Sequence, residues 1–410
     1  MTRTLDDLLP APLDAGHLAA LAPLSDSADL LALLDRWVER GWLRALDRAF
    51  VAFLREREPG GDPLVLLAAA LASHQLGHGH VCLDLQKTLA EPDFALSLPP
   101  EGDALAGPLL LPSQLLDRLE LGTWLQRLDA SELVAAGDTP EQGARPLVLS
   151  EGRLYLRRYW TYERQIDDAL RERLQPIETA PDDLRKRLDL LFDEGAEAGQ
   201  IDWQKLACAL ATRAAFSIIT GGPGTGKTTT VVRLLALLQA PAVEAGRPLR
   251  IRLAAPTGKA AARLTESIGQ QVERLSVSAD IRAQIPCDVS TVHRLLGSRP
   301  NSRHFRHHAG NPLPLDVLVV DEASMIDLEM MANLLAAMPA NARLILLGDK
   351  DQLASAEAGA VLGDLCRDAE DGRYSAETQA WLEQVSGESL AGGELQAGDA
   401  AVSYTHLRAT

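Results

Sequence analysis

The sequence is poor in cysteine and lacks long apolar runs, and each shortage excludes a class of protein. Four cysteines occur in 410 residues, and none of them forms a C-x-x-C pair, which argues against a disulfide framework and against a zinc knuckle. No run of about twenty uncharged apolar residues is present. Asp6 and Asp7 occupy the region where a secretory signal needs an apolar stretch. We therefore expect a cytoplasmic protein with reduced thiols.

Positively charged residues are also fewer than negatively charged ones, which gives a formal net charge of −17. This balance argues against a protein that coats DNA through bulk electrostatics, since non-specific affinity comes from Lys and Arg side chains that neutralise phosphates. A narrow local groove for a single strand is still compatible with an acidic surface. The excess negative charge would equally suit basic partner subunits.

A glycine-rich stretch between two apolar runs carries the strongest chemical signal. The pattern G-x-x-x-x-G-K-[ST] occupies residues 221 to 228, after a β-branched run and before the periodic apolar face of a helix. Backbone N–H groups of such a turn surround phosphates, Lys227 places a charge on the outer phosphates, and Thr228 offers a hydroxyl to Mg²⁺. We expect ATP and Mg²⁺ as cofactors. The predicted nucleotide-binding residues here are Gly221, Gly222, Pro223, Gly224, Thr225, Gly226, Lys227, Thr228 and Thr229.

Two acidic residues follow a second apolar strand, which covers residues 315 to 320. Ligands bind beyond the carboxyl ends of the strands in an open parallel sheet. Asp321 would therefore hold Mg²⁺ together with Thr228, and Glu322 would polarise the attacking water; a helix N-cap is the structural alternative. After a further strand, Gln352 would reach the terminal phosphate. The predicted catalytic residues are Lys227, Asp321, Glu322 and Gln352, and the predicted metal ligands are Thr228 and Asp321.

The periodicity of the apolar residues divides the chain into four parts. A helical pattern predicts a mainly helical N-terminal domain over residues 1–114, followed by a helical and hairpin connecting region over 115–195. Strands and helices then alternate, which predicts an α/β domain over 196–385 with a doubly wound parallel sheet, and the phosphate-binding turn marks it as a P-loop NTPase. Residues 386–410 are predicted to be an unstructured, non-native tail.

Three clusters leave alternatives open. Histidines at 74, 78 and 80 with Cys82 suggest a metal site, but their spacing fits no zinc pattern, so a packed helix end is favoured. The cluster Arg157 to Tyr162 would stack nucleobases or pack between domains, and packing is favoured. The basic run 303–308 would either touch DNA or remain solvated.

Five segments resemble the motor motifs of superfamily 1 DNA helicases, and among these the RecD family, the alpha subunits of the RecBCD exonuclease. These segments are 221–229, 255–264, 291–297, 319–327 and 347–353, and residues 77–85 and 154–163 are similar to the N-terminal portion of that family. The resemblance implies that the α/β domain is a RecA-like first motor domain, part of an ATP-driven 5′-to-3′ motor that acts on single-stranded DNA at duplex ends. It also implies a heterotrimer with RecB-like and RecC-like subunits, which repairs double-strand breaks by homologous recombination.

The resemblance extends to particular residues. Gln204 matches a glutamine that contacts adenine, and Thr257, Lys259, Thr291 and His293 fall in motifs that line the DNA path. Members of the family continue into a second motor domain with arginines that complete the ATP site, whereas this sequence ends in a Gly- and Ala-rich stretch. We expect a truncated or wrongly joined reading frame, and a chain that binds ATP but hydrolyses it slowly when alone.

Two other classes compete with the helicase interpretation. The phosphate-binding turn alone is shared by small-molecule kinases and signalling NTPases, although neither would need the Thr-Gly-Lys turn at 257–259 or the motif around Gln352. A third interpretation is an interaction subunit whose helical N-terminal part docks larger partners. Nuclease chemistry is not expected, because no clustered carboxylates suit a pair of metal ions.

Overall fold

The protein is described by a computed structural model. The structure describes residues 22–101, 103, 109–137, 144–174, 183–192, 201–222, 224–349, 359, 361–366, 375–389 and 406–408. Two compact units make up the chain, a first unit of residues 1–162 with 357–359 and a second unit of residues 163–356 with 360–410. The predicted connecting region 115–195 is therefore divided between the two units.

The first unit is mainly helical, as predicted, with a small sheet. Asp62 caps the buried helix Pro63–Gly77 by accepting a hydrogen bond from the Leu64 backbone N–H, and Pro63 stands at the first helical position, where no N–H is needed. The helices are α1 (Ser27–Glu39), α2 (Ala45–Arg57), α3 (Pro63–Gly77), α4 (Leu85–Ala90), α5 (Pro92–Leu96), α6 (Pro112–Leu115), α7 (Leu121–Asp129) and α8 (Arg157–Arg173). The division between the units falls within α8.

Four strands of the first unit form a sheet in the order β1-β4-β3-β2. They are β1 (Cys82–Asp84), β2 (Val134–Ala136), β3 (Leu147–Ser150) and β4 (Arg153–Leu156). Strands β3 and β4 form the predicted hairpin, whose turn residues Glu151 and Gly152 both have positive φ. Because β4 also pairs with β1, residues 134–156 belong to the N-terminal unit rather than to a separate connecting region.

Two tryptophans lie fully buried in the core of the first unit. The Trp124 indole donates to the Leu64 carbonyl at 3.1 Å, and the Trp37 indole donates to the Leu110 carbonyl at 3.0 Å. Each hydrogen bond satisfies the single polar group of a large apolar side chain, so these rings fill the core without leaving a buried donor unpaired.

A parallel sheet with the order β10-β5-β9-β8-β6-β7 organises the second unit. Its strands are β5 (Phe216–Thr220), β6 (Ile251–Ala255), β7 (Val289–Thr291), β8 (Val317–Val320), β9 (Arg343–Gly348) and β10 (His406–Arg408). Every residue of β5 and β8 is buried, which is the pattern of strands covered on both faces. The predicted α/β doubly wound fold is confirmed.

Helices of the second unit cover the sheet. Their bounds are α9 (Leu184–Phe192), α10 (Trp203–Thr212), α11 (Lys227–Glu244), α12 (Gly258–Glu273), α13 (Ala279–Ala283), α14 (Val292–Leu296), α15 (Leu328–Ala337), α16 (Val361–Leu365) and α17 (Ala376–Ser386). Leu184, Leu188 and Phe192 of α9 are buried in the main core of this unit. For this reason α9 belongs to the second unit, which begins at Glu163, whereas the sequence predicted a boundary at 195/196.

The C-terminal segment also differs from its prediction. Residues 386–410 were expected to be unstructured, but His406–Arg408 form β10, which pairs in parallel with β5 from Ile218 to Thr220. A strand at the edge of a sheet offers unpaired backbone N–H and C=O groups, and a further segment of chain satisfies them by pairing there.

The histidine and cysteine patterns have structural explanations. His74 lies buried near the end of α3 with its Nε2 2.9 Å from the Leu96 carbonyl, and His78 packs against its ring at 4.3 Å. No group of three metal-ligating side chains occurs within the described residues. None of the four cysteines, all of which are described, forms a disulfide; Cys208 and Cys366 are buried, and Cys82 and Cys287 are half-buried. No helix among the described segments is both long enough and apolar enough to cross a membrane.

Trp160 resolves one of the open alternatives. Its ring is buried against Tyr155 and Val148, with a centroid distance of 5.0 Å to the Tyr155 ring. A buried tryptophan cannot offer a face to a nucleobase. Trp160 therefore packs within the first unit, whereas the sequence favoured packing between domains.

Candidate nucleotide-binding site

The predicted phosphate-binding turn connects the C-terminal end of β5 to the first turn of α11. Gly224 and Gly226 have φ of 80° and 82°, a region that costs other residues about 1–2 kcal/mol. Gly226 is the N-cap of α11 and places no side chain over the free N–H groups of the first helical turn. Such a helix start is an anion-binding site, because unpaired N–H groups and the positive end of the helix dipole point the same way.

The side chains of the turn point inward. The Lys227 ammonium donates to the Gly221 carbonyl and to the Gly222 carbonyl, the latter at 3.0 Å. The Thr225 hydroxyl also donates to the Gly222 carbonyl, at 2.9 Å. Thr228 and Thr229 are half-buried in the first turn of α11. The turn therefore holds its lysine over the loop carbonyls, where an outer phosphate of a nucleotide would compete for it. Pro223 lies outside the described residues.

Gln204 reaches the turn from a different helix. Asp202 caps α10 by accepting from the Lys205 backbone N–H at 3.0 Å, which places Gln204 in the first turn of this helix. Its Nε2 donates to the Thr225 carbonyl at 3.3 Å. The structure therefore brings Gln204 to the phosphate-binding turn; its expected contact with adenine stays a prediction.

The two acidic residues follow β8, two strands away from β5 in the sheet. The Asp321 backbone N–H donates to the Ala254 carbonyl at 2.9 Å, which continues the β6–β8 ladder. Glu322 has a φ of 51° and precedes a 3₁₀ turn at Ala323–Met325, so the chain turns sharply directly after the carboxylates. Both residues are half-buried. The neighbouring Asp327, not Asp321, is the helix cap, because it accepts from the Met330 N–H at 2.7 Å.

Burial raises the pKa of Asp321 above its ordinary value. The Glu322 backbone N–H opposes this shift by donating to the carboxylate, the Glu322 charge adds to it, and the positive charges of Lys227 and Arg263 lower the pKa. A desolvated carboxylate within the field of Lys227 is a suitable ligand for a hard divalent cation, since the cation would offset the cost of ionisation.

The predicted DNA-contacting residues lie at the same edge of the sheet. Strands β6 and β7 pair with Ala255 opposite Thr291, so α12 and α14 start side by side. The hydroxyls of Thr257 and Thr291 cap these helices by accepting from the N–H groups of Ala260 and Arg294, each at 3.2 Å. Lys259 and His293 are exposed in the first turns. The structure thus brings Thr257, Lys259, Thr291 and His293 together.

Gln352 lies outside the described residues. The strand that precedes it, β9, pairs with β5 so that Gly348 lies opposite Thr220, and the Gly221 N–H donates to the Gly348 carbonyl at 3.2 Å. A Cβ on Gly348 would collide with the Leu362 side chain. The end of β9 is therefore fixed against the start of the phosphate-binding turn.

One residue at the site and one at the opposite, amino-terminal edge of the sheet were not predicted from the sequence. Arg263 influences Asp321 electrostatically, and its position on α12 six residues after Thr257 gave no separate signal. Arg343 donates through Nη1 to the carbonyls of Thr212 and Ala214, at 2.8 and 2.9 Å, at the C-terminal end of α10. A single arginine at the start of a strand has no sequence pattern that would reveal this contact.

The fold and the turn define a P-loop NTPase-type α/β domain preceded by a mainly helical unit. Residues 39–155 match the family model of the RecBCD enzyme subunit RecD, N-terminal domain, and residues 204–358 match the model of an AAA domain. The chain is 41% identical over 379 residues to the RecBCD enzyme subunit RecD of Haemophilus influenzae, and this alignment covers 89% of this chain and 57% of that protein.

Other relatives with RecD names are similar to this chain as well. The RecBCD enzyme subunit RecD of Mycolicibacterium smegmatis is 44% identical over 307 residues, which are 74% of this chain and 49% of that protein. The ATP-dependent RecD2 DNA helicase of Deinococcus radiodurans is 36% identical over 225 residues, 55% of this chain and 28% of that protein. The resemblance to the RecD family predicted from the motifs is confirmed. The chain spans about half the length of the curated relatives it matches.

Proposed function

We propose that this chain provides the ATP-binding motor domain of a 5′-to-3′ DNA helicase subunit in a RecBCD-type complex. One structural relationship carries the proposal. A single edge of one parallel sheet presents the phosphate-binding turn after β5, the acidic pair after β8, and the exposed Lys259 and His293 after β6 and β7. Nucleotide and nucleic acid would then contact neighbouring loops of the same sheet, which is the arrangement a nucleotide-driven motor requires.

The residues of the turn fit ATP. Lys227 would bind the outer phosphates, the N–H groups of the first turn of α11 would surround them, and Gln204 would approach the adenine. Glu322 lies one residue beyond Asp321, where it would accept a proton from the attacking water. Gln352, predicted to contact the terminal phosphate, stays a prediction.

The donor set also fits Mg²⁺. Thr228 supplies a hydroxyl oxygen in the first turn of α11, and Asp321 supplies a carboxylate whose ionisation a cation would favour. When bound, Mg²⁺ would neutralise charge on the phosphate oxygens. Asp321 and Thr228 would hold it, whereas Lys227 and Glu322 would act on the phosphates and on the water.

The names of the relatives support the choice of partners. Several are RecBCD enzyme subunits, so we propose RecB-like and RecC-like subunits as partners and single-stranded DNA as the track. The first unit, which includes the match to the RecD N-terminal domain, is the proposed docking part. No observation favours a small-molecule kinase or a signalling NTPase.

DNA-stimulated ATP hydrolysis tests the proposal. We expect the chain, assembled with RecB-like and RecC-like subunits, to hydrolyse ATP faster when single-stranded DNA is added. Lys227→Ala should abolish the part of the rate that this subunit contributes. Phosphoryl transfer to a metabolite with no response to DNA would instead identify a kinase and overturn the proposal.

A further inference from the structure

One surface segment of this acidic protein contains only positive or neutral side chains. Positions 289–315 hold neither Asp nor Glu, although the chain as a whole carries a net charge of −17. None of the arginines in this segment forms an ion pair with a described residue, in contrast to Arg250, which pairs with Asp316 just beyond it. The segment contains Arg294, Arg299, Arg303 and Arg306, and His293, His304, His307 and His308.

The loop after α14, residues 297–312, is held in place by backbone contacts. The Arg306 N–H donates to the Gly297 carbonyl at 2.9 Å, and the His307 N–H donates to the Leu296 carbonyl at 3.0 Å. Gly297 has a φ of 74°, and a Cβ there would lie 2.8 Å from the Arg306 Cβ. The Asn311 side-chain amide donates to the Arg306 carbonyl at 2.9 Å. The loop therefore folds back onto the end of α14 in a defined conformation.

This folding brings two aromatic rings together. The rings of His293 and Phe305 meet edge to face, with centroids 6.0 Å apart and an angle of 65° between the planes. His293 is exposed and Phe305 is half-buried. These aromatic rings lie among arginines in the sequence, and those arginines form no ion pair with a described carboxylate. This is the composition of a surface that binds single-stranded nucleic acid through stacking and phosphate contacts.

We propose that Phe305, supported by His293, stacks on a base of single-stranded DNA, while Arg303 and Arg306 contact its phosphates. The proposal rests on the proposed function, which supplies DNA as the ligand, and it adds residues that the motor motifs do not include. The position of the loop suits this role. Ala255 and Thr291 pair at the carboxyl ends of β6 and β7, so the helix that carries Lys259 and the helix α14, which leads into the loop, start at the same edge of the sheet. The strand of DNA would extend from the helix starts onto the loop.

A binding titration separates the stacking contact from the phosphate contacts. It measures the affinity of the full chain for a fluorescent oligothymidylate at a series of salt concentrations. Phe305→Leu should weaken binding about 5- to 150-fold, the range of one lost stacking contact, without changing the salt dependence. Phe305→Trp should restore the affinity. Arg303→Gln and Arg306→Gln should each lower the slope of log K against log salt by about 0.7, the value for one phosphate contact on a single strand.

Matched controls test whether these effects are local. Phe94, which is 82% exposed on α5, gives Phe94→Leu as the control for an exposed aromatic ring. Arg247 is exposed at the opposite, amino-terminal edge of the sheet, and Arg247→Gln should leave the slope unchanged. An abasic oligonucleotide keeps the phosphates but offers no base, so Phe305→Leu should no longer weaken its binding. Unchanged melting temperatures would establish that every variant is folded.

The outcomes distinguish this inference from the proposed function. If wild-type chain binds the oligothymidylate and all loop variants bind equally well, the inference is overturned and the proposed function stands. If Phe305→Leu weakens binding to the abasic strand as much as to oligothymidylate, stacking is refuted. If wild-type chain binds no single-stranded DNA at any salt concentration, both the inference and the DNA part of the proposed function fall.

Discussion

Gln204 and Gly226 meet at the start of α11, where a Cβ built on Gly226 would lie 2.6 Å from Gln204 Nε2. The glycine is thus required for its positive φ, and a side chain there would also displace the glutamine amide. The amide donates to the Thr225 carbonyl, so the residue expected near adenine is also a brace of the phosphate-binding turn.

Gly226→Ala should therefore destabilise the second unit more than Gly224→Ala does. Both glycines have nearly the same φ, but a Cβ on Gly224 meets nothing within 4 Å. Gly224→Ala should cost about 1–2 kcal/mol, the cost of a left-handed alanine, and the contact with Gln204 adds to this cost at Gly226. Melting temperatures measured without nucleotide give the comparison.

A double-mutant cycle isolates the contact. Adding Gln204→Ala to Gly226→Ala removes the amide that the new methyl group meets, so the double variant should be destabilised only about as much as Gly224→Ala, once the effect of Gln204→Ala alone is subtracted. Additive effects at the two positions would contradict the role of the contact.

Lys227→Ala should weaken nucleotide binding without unfolding the chain. The ammonium contacts loop carbonyls and is positioned to exchange them for phosphate oxygens. Loss of a charged hydrogen bond costs about 1.5–3 kcal/mol, which corresponds to roughly a 10- to 150-fold higher Kd for a fluorescent ATP analogue. Lys186→Ala, an exposed lysine of α9, should bind like wild type. Equal loss in both variants would indicate a non-specific charge effect.

Asp321→Asn should make the second unit more stable at neutral pH and prevent Mg²⁺-dependent nucleotide binding. Since burial raises the pKa of Asp321 in the folded chain, the folded state holds the proton to higher pH than the unfolded state does. The stabilisation from this group is complete below the ordinary aspartate pKa and is lost as the pH rises through the raised value. Asparagine remains neutral and avoids that loss.

Thermal melts between pH 5 and pH 8 check this expectation. The advantage of Asp321→Asn over wild type should be largest at pH 8 and should shrink as the pH falls. Asp327→Ala serves as a contrast, because it removes a helix cap and should destabilise by about 1 kcal/mol across the same range. A lower melting temperature for Asp321→Asn at every pH would refute the assigned cause.

Local patterns in the sequence predicted the parts of the fold that depend on local chemistry. The glycine spacing of 221–226, the β3–β4 hairpin and the apolar runs of β5 and β8 each carry their signal within a few residues. The division between the units depends on distant contacts: β4 pairs with β1, and Leu188 packs into the core of the second unit. Neither partner choice is visible in a local window.

In the candidate site, too, features with a local sequence signal were predicted, and features that depend on distant contacts were not. Thr257 and Thr291 were predicted as neighbours of the DNA path, and the register of β6 with β7 does bring them together. Their hydroxyls, however, cap helices, a role that depends on where each helix starts. Arg343 was missed for the same reason, since its partners are carbonyls about 130 positions away in the chain.

Arg343 leads to the last prediction, because it fixes the helix that carries Gln204. Its guanidinium caps the C-terminal end of α10, where free carbonyls and the negative end of the helix dipole favour a cation. Burial lowers the pKa of Arg343, and none of the described residues forms an ion pair with it. Arg343→Met keeps the apolar stem but leaves the carbonyls of Thr212 and Ala214 without their donor. The expected cost is about 2 kcal/mol in the free energy of unfolding, whereas Arg343→Lys should recover part of it, since one ammonium can still reach a carbonyl.

Nucleotide affinity provides the second measurement on Arg343→Met. If α10 transmits the loss to its other end, Arg343→Met should bind ATP more weakly, and the additional loss from Gln204→Ala should be smaller in that background than in wild type. An undiminished effect of Gln204→Ala would show that Arg343 stabilises the unit without positioning the glutamine.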